Sequence, residues 1–146
     1  MISEPFADGA TVLVLDTNIV LDLFVYEDPA THSLLQQLNQ TGTRWLATTA
    51  MRDELARVLG YPQIAKRLTA RALPADAVLA RFDRHVEVVP AAIKAPYTCK
   101  DPDDQCFIDL AVAHRAVLVS KDAEVLCMTK RLDRLGAVVK RIWMPA

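Results

Sequence analysis

Thr11–Phe24, TVLVLDTNIVLDLF, decides how this chain is read. Val12-Leu13-Val14-Leu15 is an unbroken apolar run rich in Val and Leu. Such a run suits a strand covered by helices on both faces, as in a parallel sheet. It stops at Asp16-Thr17-Asn18, after which Ile19, Leu23 and Phe24 recur at helical spacing. Asp16 therefore stands where a buried strand ends and a helix begins. In open α/β sheets that C-terminal edge is where ligands bind. A carboxylate held against apolar walls is costly unless something positive compensates it. Capping the next helix is the other role open to Asp16 or Thr17.

The remaining sequence repeats the alternation. Trp45–Thr48, Val86–Val89, Ala116–Ser120 and about Ala137–Trp143 read as further strands. Helices are expected over about 34–38, 49–59, 64–73, 74–85, 102–114 and 123–135. Strands alternating with helices imply a parallel α/β sheet wound on both faces. At 146 residues the chain fits one domain over 11–146, with residues 1–10 as a loose lead-in.

Composition narrows the function classes. Hydrophobic residues make up 52%, which excludes a disordered chain. No apolar segment approaches the roughly 20 residues of a membrane span, and MISEPFADGA lacks the features of a secretory signal. A net charge of −1 argues against holding nucleic acid by bulk charge. Cys99, Cys106 and Cys127 make no C-x-x-C pair, and the histidines are scattered, so zinc is not indicated. Reduced thiols in a cytoplasmic protein, packed as small buried hydrophobes, are the expectation.

Chemistry is carried by acids. In helix 49–59, Glu54 lies at the border of the face shared by Met51, Leu55, Val58 and Leu59, roughly 40° from Val58 at helical spacing. Asp53 points away and is placed to pair with Arg57. Asp101-Pro102-Asp103-Asp104 opens the helix 102–114, with Asp101 as cap, Pro102 in the first position and Asp104 in the third. One cap suffices for one helix, so the remaining acids repel unless a cation relieves them. Asp109, roughly 140° around from Asp104, reads as a surface residue. Val117-Leu118-Val119 runs into Ser120-Lys121-Asp122 and so repeats the pattern of the first stretch. Acids from two strand edges and two helix starts can thus meet in one pocket. Oxygen-only ligands select a hard cation, Mg²⁺ or Mn²⁺, which clamps phosphates and activates water.

Four pieces, VLVLDTNIVLDLF, MRDELARVL, DPDDQCFIDLAVAHRA and VLVSKDAEVL, together resemble a PIN-domain protein of the kind found as the toxin of bacterial toxin–antitoxin pairs. They occur in the family's order and span most of residues 11–126. The resemblance implies a three-layer α/β/α sandwich with a central parallel sheet of about five strands. It also implies a metal-dependent endoribonuclease using Mg²⁺ or Mn²⁺. Carried across, the acidic site falls on Asp16, Glu54, Asp104 and Asp122, with Thr17, Asn18 and Ser120 at supporting positions. The implied partners are an RNA substrate and a cognate antitoxin protein; a homodimer is the form of assembly to be tested. Ile19, Leu23 and Phe24 are placed either to help form an apolar groove for the antitoxin or, as the commoner role for most of them, to pack in the core. Lys66, Arg67, Arg71, Arg81 and Arg84, or Lys94, Lys100 and Lys121, are the candidates for an RNA path.

Competing classes fit less well. A phosphatase of the haloacid dehalogenase type wants Asp-x-Asp after the first strand, and Asn18 cannot act as the acid. A receiver domain wants an acceptor Asp after the third strand, where Pro90-Ala91 stands. A PIN-type nuclease of RNA maturation and a non-catalytic binding module remain as alternatives, the latter only if the acids hold no metal.

Overall fold

The computed structural model describes residues 10–144. The lead-in expected over 1–10 falls almost wholly outside these residues. Five strands form one sheet: β1 (Thr11–Leu15), β2 (Thr43–Ala47), β3 (Val86–Val88), β4 (Val117–Val119) and β5 (Val138–Lys140), in the order β3-β2-β1-β4-β5. Every neighbouring pair is parallel, with Leu13 level with both Trp45 and Val117 and Leu15 level with Val119. Helices flank the sheet, as the three-layer reading expects. Val12–Leu15 are buried because β1 is central and covered on both faces.

The helices are α1 (Thr17–Phe24), α2 (His32–Leu38), α3 (Thr49–Val58), α4 (Pro62–Ala70), α5 (Ala75–His85), α6 (Gln105–His114), α7 (Ala123–Leu126) and α8 (Thr129–Asp133). Thr48 caps α3, its hydroxyl accepting from the Met51 N–H at 3.3 Å. Gly42, at φ 87°, turns the chain into β2, and its carbonyl accepts from the Thr11 N–H at 2.9 Å. The core is anchored by Trp45, which lies edge-on to Phe82 at 5.2 Å and beside Phe24 at 6.0 Å. None of the helices in residues 10–144 is long and apolar enough to cross a membrane.

Several local expectations need correction. The helix expected from 102 starts at Gln105, because Pro102–Asp104 form a tighter 3₁₀ turn. The Asp101 side chain accepts from the Asp103 N–H at 3.0 Å, which draws that turn in. The single piece expected over 123–135 is two helices; the Thr129 hydroxyl donates to the Leu126 carbonyl at 2.6 Å, where α7 ends. Asp109 is not a surface residue. It is half-buried and accepts from the Ala95 N–H and from Gln105 Nε2, both at 2.8 Å, so it ties the loop 90–100 to α6. The Asp53–Arg57 pair is not formed; Arg52 instead reaches Asp83 on α5 at 2.7 Å. Of the thiols only Cys99 is buried, while Cys106 and Cys127 are exposed.

Candidate metal centre

The chain passes from β1 outward to β3 and then returns to lay β4 on the other side of β1. The C-terminal ends of β1 and β4 are thereby neighbours at the point where the strand order reverses, the usual place for a ligand site. Asp16 leaves β1 there, its N–H donating to the Val119 carbonyl at 3.2 Å. Its carboxylate is only 3% exposed. Oδ1 accepts from the Ile19 N–H at 3.1 Å, so Asp16 does cap α1. Oδ2 accepts from the Ser120 hydroxyl. The capping role that the sequence left open is thus filled by Oδ1, while Oδ2 is held by Ser120 in the cleft. Burial raises the Asp16 pKa; the bonds from Ser120 and the Ile19 and Asn18 amides partly offset this, and Asp122 adds repulsion.

Ser120 is fully buried and also accepts from the Asp122 N–H at 3.1 Å. One hydroxyl therefore fixes both Asp16 and the start of the Asp122 turn. Asp122 caps α7, accepting from the Glu124 N–H at 2.8 Å. From α3, half-buried Glu54 accepts from the Thr17 hydroxyl at 2.5 Å. Asp16, Thr17, Asn18, Glu54, Asp104 and Asp122 all line one cleft of about 350 Å³, closed on its apolar side by Leu21, Val58, Ile64 and Phe107. Asp101 and Asp103 line it too, and among the described residues no Lys or Arg does.

Asp104 is the least comfortable of these acids. It is 8% exposed, and its Oδ2 is buried with no hydrogen-bond partner. Burial, the facing carboxylate of Asp122, and then Asp101 and Asp16 push its pKa up to about 8. One carboxylate oxygen each from Asp101, Asp104 and Asp122 lie within 4.8 Å of one another. An all-oxygen donor set with an orphaned carboxylate oxygen suits a hard divalent cation.

The broader sequence expectations fare unevenly. Arg67 lies over the Tyr26 ring at 5.4 Å and Arg81 over the Phe24 ring at 4.4 Å. Arg71 bonds the Val25 carbonyl at 2.6 Å and pairs with Glu27, and Lys121 pairs with Asp22 at 2.5 Å. These cations are engaged in holding the fold, which weakens the case for them as an RNA path. Leu23 and Phe24 are core residues at 2% and 1% exposure, leaving only Ile19 to line a second groove of about 400 Å³ with Leu34, Ile142 and Trp143. Asp101 was absent from the acids singled out in the sequence, because the cap reading accounted for it.

A family model described as PIN domain matches residues 12–124. The chain belongs to the PIN-domain family. Its fold is similar to a chain in the crystal structure of VapBC2 from Rickettsia felis, bound to a DNA fragment from their promoter. That likeness has a TM-score of 0.64 at 14% identity, over 91% of this chain and 100% of that one. No curated protein matches the sequence. The PIN domain here thus has the fold of that complex's chain, and four carboxylates from widely separated segments reach its sheet edge.

Proposed function

We propose that this PIN domain is a metal-dependent endoribonuclease and the toxin of a toxin–antitoxin pair. The observation that carries the nuclease reading is Asp104. A buried carboxylate with an unpartnered oxygen, facing further acids, is destabilising as it stands and is relieved by a cation. Asp16, Asp104 and Asp122 would hold the cation, Mg²⁺ or Mn²⁺, with Glu54 at its margin. Such a cation, when bound, makes water a nucleophile near neutral pH and neutralises phosphate charge. Glu54, steadied by Thr17, orients the attacking water and takes its proton. Asp16 is fixed by Ser120 and the α1 amide, so its geometry survives when substrate enters. Asn18, exposed at the cleft wall, supports Asp16 through its backbone amide.

The toxin reading is supported by the VapBC2 likeness, which extends an antitoxin as partner to this chain. The second groove has exposed Ile142 and half-buried Trp143 as apolar surface for such a partner, with buried Ile19 and Leu34 at its floor. A cytoplasmic site of action follows from an RNA target.

Purified protein incubated with labelled RNA and Mn²⁺ tests the reaction. Cleavage that stops in EDTA and leaves 5′-phosphate and 3′-hydroxyl ends is the expected result. Cleavage persisting in EDTA, or 2′,3′-cyclic phosphate ends, refutes the metal mechanism. Growth arrest on expression, relieved by a neighbouring small gene, tests the toxin role; harmless expression of active protein points to RNA maturation.

A further inference from the structure

Asp101 has a capping bond, but that uses one of the roughly four acceptor sites of a carboxylate. Its position is unusual for a cap. Asp101 and Asp104 stand three residues apart across the 3₁₀ turn Pro102–Asp104. Asp101 is the extended cap of that turn, at φ −92° and ψ 110°. One of its carboxylate oxygens lies within 4.8 Å of oxygens from Asp104 and Asp122, while Asp103 between Asp101 and Asp104 is left exposed.

The spacing suits a cation. Ligand oxygens about 2.1 Å from Mg²⁺ lie about 3.0 Å apart when adjacent and about 4.2 Å apart when opposed. The 4.8 Å that bounds the Asp101, Asp104 and Asp122 oxygens is close to the spacing of opposed ligands. The second, independent sign is the unpartnered Oδ2 of Asp104, on a side chain 8% exposed. By contrast, both oxygens of Asp16 and one of Glu54 already accept hydrogen bonds within the protein.

We propose that Asp101 is a direct cation ligand beside Asp104 and Asp122, in addition to Asp16. This rests on reading the cleft as a metal centre. Four carboxylates would leave two octahedral positions for water and phosphate oxygens, in keeping with the preference of Mg²⁺ for a site that is not a fully protein-built cage. Asp101 thus adds a fifth acid to the four drawn from the PIN-domain resemblance, and its cap and ligand duties use different oxygens.

The test is calorimetric titration of the full chain with MnCl₂, comparing wild type, Asp101→Asn and Asp103→Asn. Asparagine keeps an oxygen for the Asp103 amide but removes the charge, and Asp101→Ser, which caps through its hydroxyl, serves if the first variant folds poorly. Mn²⁺ affinity is expected to fall roughly tenfold or more in Asp101→Asn and to stay within about twofold in Asp103→Asn. Thermal midpoints in EDTA should not fall for Asp101→Asn. Unchanged affinity in Asp101→Asn overturns the assignment, as does an equal loss in Asp103→Asn, which would mean bulk charge rather than ligation. Absence of Mn²⁺ binding by the wild type sinks the metal-centre reading itself and this assignment with it.

Discussion

The hydroxyl of Thr17, in the first turn of α1, donates to Oε1 of Glu54, mid-way along α3, over 2.5 Å. It is a direct polar tie between the two helices that wall the acidic cleft. Thr17→Val keeps the shape and removes the donor. Glu54 is only half-buried, so water replaces much of the lost bond, and stability should fall by about 1 kcal/mol. RNA cleavage should fall about 10–100-fold, because Glu54 loses its orientation. Thr17→Ser restores the donor and most of the activity. Single-turnover cleavage beside thermal melts separates the two effects; a melt-only change would show that the bond is structural.

Ser120→Ala removes a donor from Asp16 and an acceptor from the Asp122 amide at a fully buried position. The cost at neutral pH should be about 1–3 kcal/mol, larger than for Thr17, since no solvent reaches the gap. The Asp16 carboxyl then rises further in pKa. Urea unfolding at neutral pH in EDTA gives the number, and a loss below that of Thr17→Val would contradict it.

Asp16→Asn should behave oppositely to a simple cap mutation. Asparagine still accepts from the Ile19 amide, and it removes a buried charge that burial already disfavours. Metal-free stability should change by less than about 1 kcal/mol, or rise. The stabilisation that Mn²⁺ gives the wild type should shrink sharply. Melting curves with EDTA and with MnCl₂ read both.

Stability should also depend on pH through Asp104. Its folded pKa of about 8 lies above the ordinary aspartate value of 3.8. Between those values the folded state holds a proton that the unfolded chain has released, so the slope is negative. Metal-free stability should be fully present below about pH 4 as far as Asp104 is concerned. It falls as pH rises toward 8. Asp104→Asn should flatten that slope. Cation binding near pH 7 should release a proton, visible as a dependence of binding heat on the buffer's ionisation enthalpy. A flat wild-type profile in EDTA refutes the shift.

Much of this was legible from the sequence, for physical reasons that can be named. Val12–Leu15 announces a central strand because a strand covered on both faces has no polar side to alternate. Glu54 could be placed at a helix border because 3.6-residue periodicity fixes angles around an axis. The start of α6 differs from the expectation because Asp-Pro-Asp-Asp satisfies the rules for an α-helix cap and for a 3₁₀ turn equally well. Asp109 was misplaced because angle around a helix says nothing of a loop folding back over it, as residues 90–100 do. Arg67, Arg71 and Arg81 carry no local mark that they lie over aromatic rings or bond a distant carbonyl, since those partners are tertiary.

The strand order has a consequence for the timing of synthesis. β1 leaves the ribosome early and gains β2 and then β3 on one edge as they appear, but its other edge waits for β4. Asp16 and Glu54 are present long before Ser120 and Asp122. At about 5–20 residues per second, the 68 residues from Glu54 to Asp122 separate the two halves of the cleft by about 3–14 s of translation. During that interval the nascent chain carries one side of the acidic cleft without the other. Ribosome-arrested chains of increasing length read this directly: cation binding and cleavage should appear only once the segment through Asp122 is free to pair beside β1.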